Sequence, residues 1–259
     1  MNFSGNDIKG AILDMDGVLW RANQPICDLP ILFGNFATQE IKVTFATNNG
    51  THTVAEYVTK LANFGVKIDD WQIVTSSMAT AYMVKKEFPS GGPIYIMGSP
   101  ALVSFLENEG FFHSKENPHA VVGGLNWDVN YQMLKDTSLM IQKGLPFYFT
   151  NLDPSYPTPE GIVPGAGAIL AALETATGTK ARLSGKPEPY LFDVAMQRMG
   201  TIPKETLVIG DRLSTDILGG HNAGCRTVFV LTGVNTMDDL RDWQPQPDYI
   251  ISDISQLFD

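Results

Sequence analysis

AILDMDGVLW, residues 11–20, joins an apolar run to two aspartates, Asp14 and Asp16, with one methionine between them. A buried strand avoids unpaired carboxylates, because taking an ionised group out of water is costly. An extended backbone sends side chains two positions apart to one face, with Cα atoms about 6.5–7 Å apart. The stretch therefore reads as a strand that ends by presenting two carboxylates on the same side.

Outward from it, apolar and β-branched runs recur. IKGAILDM (8–15), IKVTFATNN (41–49), IYIMGS (94–99), AVVGGL (120–125), PFYFTN (146–151), TLVIGD (206–211) and RTVFVLTG (226–233) read as strands. THTVAEYVTKLANFG (51–65), ALVSFLENEG (101–110), YQMLKDTSLMIQKG (131–144) and PYLFDVAMQRMG (189–200) between them read as helices. Alternation of this kind predicts an α/β fold with a layered, mostly parallel sheet. FPSGGP (88–93) and ATGTKARLSGKPEP (176–189) have the Gly/Pro-rich composition of joints. The expected organisation is a discontinuous core, 1–88 and 181–259, with an inserted α/β domain at 89–180.

The 259 residues are 44% hydrophobic and 18% charged, enough for a large core, and no run approaches a membrane span. The net charge of -10 argues against an extended nucleic-acid footprint. Two cysteines, Cys27 and Cys225, exclude a disulfide framework. The start, MNFSGNDIKG, carries neither a basic leader nor a signal-like apolar run, so a cytoplasmic setting is expected.

In open parallel sheets, ligands bind at the carboxyl ends of the strands. Those ends here carry Asp14 and Asp16, then Thr47, Asn48 and Asn49, then Asp211 with Asp216 five residues on; Lys186 follows Gly185 in a loop. Crowded carboxylates call for a divalent cation, and oxygen ligands without thiolate or histidine favour Mg²⁺. Thr47, the Asn48 N–H and Lys186 suit a phosphate. One aspartate can act as nucleophile and form an aspartyl-phosphate, while the other moves the proton. Asp216 has a second reading, stabilisation of the first turn of the following helix.

DMDGVLW (14–20), ATNNG (46–50), GKPEP (185–189) and GDRLSTDI (210–217), in that order, resemble the four motifs of the haloacid dehalogenase superfamily. The chain looks most like the NagD-like branch, and the resemblance extends to NWDVNYQML (126–134) and NLDPSYP (151–157). It implies a Rossmann-like core with an inserted α/β cap between the second and third motifs. It also implies a Mg²⁺-dependent phosphatase acting on a small phosphomonoester. Asp14 would be the nucleophile and Asp16 the general acid/base. Thr47, Asn48 and Lys186 would bind phosphate. Asp14, Asp211, Asp216 and the Asp16 carbonyl would bind the metal. In the loop NLDPSYPTPEG (151–161), Asp153 and Tyr156 are the candidates for substrate contact.

Residues 89–180 hold four lysines, eight acidic residues and no arginine, which points to a monophosphate with little further negative charge. A phosphotransferase, or a phosphate-binding module without turnover, is the alternative. No membrane or nucleic-acid partner is expected, and a homo-oligomer is left open. GAGAIL (165–170) lacks the third glycine of a dinucleotide loop and reads as a helix start. His52, His113, His119 and His221 show no ligand spacing and read as surface or packing residues. Trp20 and Trp127 read as packing residues, with Trp20 close enough to the aspartates to border the site.

Overall fold

The computed structural model describes residues 7–158 and 160–258. The first six residues of MNFSGNDIKG, Pro159 of the loop NLDPSYPTPEG, and Asp259 lie outside the described residues. The chain forms two compact units. One takes in the residues up to Thr47, Val54–Val74 and those from Lys186 onward; the other takes in Asn48–Thr53 and Thr75–Gly185. The change of unit falls at Val74–Thr75 and Gly185–Lys186, whereas the sequence reading set its joints at 88/89 and 180/181. Helix Ser76–Glu87 accounts for the first difference, because it packs against helix Pro100–Asn108 of the second unit. FPSGGP turns at Pro89–Ser90, closed by the Gly91 N–H on the Phe88 carbonyl, and Gly91 at φ +71° and Gly92 at φ +118° lead into the next strand.

The first unit is built on a six-stranded sheet, in the order Tyr249–Ile251, Arg226–Val230, Thr206–Gly210, Gly10–Leu13, Lys42–Thr47, Ile73–Thr75. The first five strands of that order pair in parallel. Gly10–Leu13 and Thr206–Gly210 are buried along their whole length, as expected of central strands covered on both faces. Leu13, Phe45, Ile209 and Val228 join Trp20, Leu29 and Phe36 in one apolar core. Helix Tyr190–Met199 packs on the strands Gly10–Leu13 and Lys42–Thr47. It stops at Gly200, whose left-handed φ of +70° suits a residue without Cβ.

The second unit holds a five-stranded parallel sheet, in the order Arg182–Leu183, Phe147–Phe149, Val121–Gly123, Gly92–Met97, Phe111–His113. An antiparallel hairpin, Ser155–Thr158 with Gly161–Pro164, stands beside it in sequence. Tyr95, Met97, Phe147 and Phe149 pack with Ile169, Leu170 and Leu173 of helix Ala166–Thr177. That helix begins inside GAGAIL, as the sequence reading had it. Among the described residues no helix is long and apolar enough to cross a membrane.

Candidate active site

The buried strand Gly10–Leu13 delivers Asp14 at its carboxyl end, where the Asp14 N–H donates to the Ile209 carbonyl at 2.9 Å. The neighbouring strand Thr206–Gly210 delivers Asp211 in the same way. After Asp211 the chain enters a π-helical turn, Leu213–Ile217, which buries Asp216. Such wide turns recur at functional sites because they re-aim a side chain that an α-helix would send elsewhere. Asp14, Asp211 and Asp216 thereby bring one carboxylate oxygen each to within 4.8 Å of one another, the only such acidic group among the described residues.

Lys186 stands in their midst, 4% exposed. Its ammonium donates to Asp14 Oδ1 at 2.5 Å, Asp216 Oδ1 at 2.6 Å and the Ala46 carbonyl at 3.0 Å. Backbone donors complete the set. The Val234 N–H reaches Asp211 Oδ2 at 2.6 Å and the Arg212 N–H reaches Asp216 Oδ2 at 3.1 Å. Asp216 thus braces the turn it sits in and meets Lys186 at once.

Burial pushes the Asp14 carboxyl well above the ordinary range; Lys186 opposes that push, and the Asp216 and Asp211 charges add to it. Asp211 is pushed up to about 6 by burial and then by Asp216, against the Val234 N–H. Burial pulls the Lys186 ammonium down, but Asp14 and Asp216 outweigh it and hold it above its ordinary value.

Two glycines make room for this cluster. Gly17 lies at φ +86°, and a Cβ there would come within 2.8 Å of the Asp211 carboxylate. A Cβ at Gly210 would lie 2.1 Å from that of Asp216.

Asp16 does not join the three carboxylates. Its exposed side chain accepts a 2.7 Å hydrogen bond from the Trp20 indole N–H. The intervening Met15 is fully buried, and both aspartates lie beyond the strand Gly10–Leu13, where strand alternation no longer holds their side chains to one face. Thr47 ends the strand Lys42–Thr47 as a buried residue.

The other candidates gather in the second unit. The Asn48 amide lies 3.4 Å from Asp153 Oδ1, and the Asn48 carbonyl accepts from Asn151 Nδ2 at 2.8 Å and Ser76 Oγ at 2.6 Å. The Tyr156 hydroxyl accepts from Asn49 Nδ2 at 3.0 Å and lies 3.1 Å from His52 Nε2. Trp127 meets the Tyr156 ring edge to face at 5.3 Å. Asn48, Asn49, Thr51, Ser77, Asp153 and Tyr156 line a crevice with no lysine or arginine among its described walls.

His52 meets the Tyr156 hydroxyl through a ring nitrogen, and Trp127 packs on the Tyr156 ring. The sequence reading also passed over Asn49 as a contact to Tyr156, Asn151 and the Val234 N–H. The paired amides of ATNNG hinted at Asn49 and the NLD of NLDPSYP at Asn151, and no sequence signal pointed to Val234.

The donor set fits a hard divalent cation. Three carboxylates against one ammonium leave two excess negative charges in a buried place, and no thiolate or imidazole belongs to the group. Without a counter-charge such crowding raises carboxyl pKa values, the direction found for Asp14 and Asp211.

Residues 11–112 match the family model described as haloacid dehalogenase-like hydrolase, and residues 183–257 match a second, HAD-hydrolase-like model. The chain is 30% identical to the 5'-nucleotidase YutF of Bacillus subtilis, over 96% of each protein. The 4-nitrophenylphosphatase of Thermotoga maritima superposes with a TM-score of 0.89 at 34% identity, covering 97% of this chain and 96% of that one. The glycerol phosphate phosphatase of Mycobacterium tuberculosis, solved in complex with magnesium, gives 0.89 at 32% identity, covering 97% and 76%.

Proposed function

The chain belongs to the haloacid dehalogenase-like hydrolases, in the branch of NagD and the nitrophenylphosphatases, and on that premise we propose that it is a Mg²⁺-dependent phosphomonoesterase working through an aspartyl-phosphate at Asp14. The observation that carries the proposal is the meeting of Asp14, Asp211 and Asp216 around Lys186. Nothing in a purely structural ion pair calls for two surplus carboxylates, because buried charge without a partner is destabilising.

Asp14 attacks phosphorus while the bond to the leaving oxygen breaks, and Asp16 gives that oxygen its proton. Asp16 then takes a proton from water as the water attacks phosphorus, which frees phosphate and restores Asp14. Lys186 neutralises both Asp14 and the phosphoryl oxygens, and Thr47 and Asn48 hold the phosphate. When bound by Asp14, Asp211, Asp216 and the Asp16 carbonyl, Mg²⁺ supplies charge stabilisation on the transferring phosphoryl group.

The crevice of the second unit favours a neutral, hydroxyl-bearing substrate body. Asn49, Thr51, Ser77 and Tyr156 offer uncharged hydrogen bonds there, Asp153 accepts hydrogen bonds from hydroxyls, and no lysine or arginine stands among its described walls to hold a second anionic group. Its relatives include enzymes named for glycerol phosphate and for 4-nitrophenyl phosphate, which supports a small monoester. The free Cys27 and Cys225 suit the reducing setting of the cytoplasm.

The test is phosphate release from a panel of monoesters, with Mg²⁺ and with EDTA. Metal-dependent release that ranks polyol monophosphates above bisphosphates supports the reading. Faster hydrolysis of bisphosphates would overturn the substrate class, and transfer of phosphate to an added alcohol in preference to water would make the protein a phosphotransferase.

A further inference from the structure

Trp20 is fully buried, yet its indole nitrogen is turned toward Asp16, and the contact is short at 2.7 Å. Buried tryptophan normally satisfies its N–H on whatever acceptor packing offers. Here the chain is shaped to make the pairing. Leu19 N–H donates to the Met15 carbonyl at 2.9 Å and Gly17 N–H donates to the Trp20 carbonyl at 2.8 Å, so the turn closes residues 15–20 on themselves. On the ring face, Phe64 packs at 5.7 Å and the Lys60 ammonium sits 4.2 Å from the ring centroid. A cation over an indole draws electron density from it and makes the N–H a stronger donor.

Resting on the phosphatase reading above, we propose that Trp20 is a positioning residue for Asp16, fixing which carboxyl oxygen carries the proton in the reaction. The reason lies in the donor inventory. Indole N–H donates and cannot accept, so Asp16 Oδ1 stays an acceptor and cannot turn its own proton toward Trp20. The acid form of Asp16 is then protonated on Oδ2, for which no donor is recorded among the described residues. In the first step Oδ2 passes its proton to the leaving oxygen as the P–O bond breaks; in the second it takes a proton from the attacking water. Without the pin the carboxyl rotates freely, and only a fraction of its conformers present the proton.

The test uses the full-length protein with Mg²⁺ and two esters. An alkyl phosphate needs its leaving oxygen protonated, whereas 4-nitrophenolate leaves with little help. Trp20→Phe keeps a ring and removes the N–H. The expected result is a loss in kcat/KM at least tenfold larger for the alkyl ester than for 4-nitrophenyl phosphate. A double-mutant cycle with Asp16→Asn controls for damage to the fold, and the extra alkyl penalty of Trp20→Phe is expected to vanish in that background. Lys60→Met is expected to shift the ester ratio in the same direction by a smaller factor. Equal losses on both esters, or additive losses in the cycle, would overturn the proposal while leaving the phosphatase reading intact. If Asp16→Asn alone spared alkyl ester turnover, the assignment of Asp16 as the acid would fail, and the role of Trp20 with it.

Discussion

Asp14 and Lys186 make opposite demands on the molecule, and substitutions separate them. Asp14→Asn preserves shape while removing both the nucleophile and one of three crowded negative charges. Phosphate release is expected to fall by about a thousandfold or more, while the metal-free protein becomes more resistant to denaturant, since burial and two carboxylates already oppose the charge at Asp14. Activity and stability moving together would contradict this. Lys186→Met is expected to lower stability along with activity. It strands three carboxylates without their cation, and breaking a buried pair of this kind costs about 3–5 kcal/mol. A variant with an unaltered urea midpoint would remove Lys186 from its balancing role.

At the scale of elements, the strand-to-turn junctions are shaped by the residues they carry. Gly17 accepts a backbone conformation and an approach to Asp211 that alanine cannot. Gly17→Ala is therefore expected to displace Asp211 and to weaken metal binding at least tenfold by calorimetric titration. Gly210→Ala is expected to act on Asp216, opening the π-helical turn and lowering the melting temperature. The elements themselves were unevenly legible. Gly10–Leu13 and Thr206–Gly210 announce themselves as continuous apolar runs. Ile73–Thr75, Phe111–His113 and Tyr249–Ile251 are three residues each and leave no periodicity to read. Helix Ser76–Glu87 was missed for another reason. Eight of its residues are buried, many of them Ser, Thr or Ala, so it lacks the polar and apolar faces that mark a surface helix.

For the whole molecule, the carboxylate cluster links folding to metal and to pH. Asp211 holds its proton up to about 6 when folded against 3.8 ordinarily. The folded state therefore binds that proton more tightly, and the metal-free protein is expected to lose stability as pH rises from about 4 through about 6. The loss is about 3 kcal/mol, and Asp211→Asn should remove it. A cation that binds only the folded form reverses it, adding about 2.7 kcal/mol at a hundred times its Kd. Denaturant midpoints against pH, with Mg²⁺ and with EDTA, check both statements. A pH-independent midpoint in EDTA would contradict the crowding.

The sequence by itself determined the α/β alternation, the family, and the set of strand-end residues from which the site is built. It could do so because a central strand must be apolar throughout, and carboxylates following such a strand stand out. Tertiary structure alone decided which of them meet. Lys186 lies 172 positions from Asp14 in sequence, and the surplus charge between them exists only once the sheet brings their loops together. The same holds for the Trp20 N–H on Asp16, for Asn49 and His52 on Tyr156, and for the unit to which helix Ser76–Glu87 belongs. Hydrogen-bond partners and packing neighbours are set by the closeness of groups in space, and residue type shows only what each group is able to do.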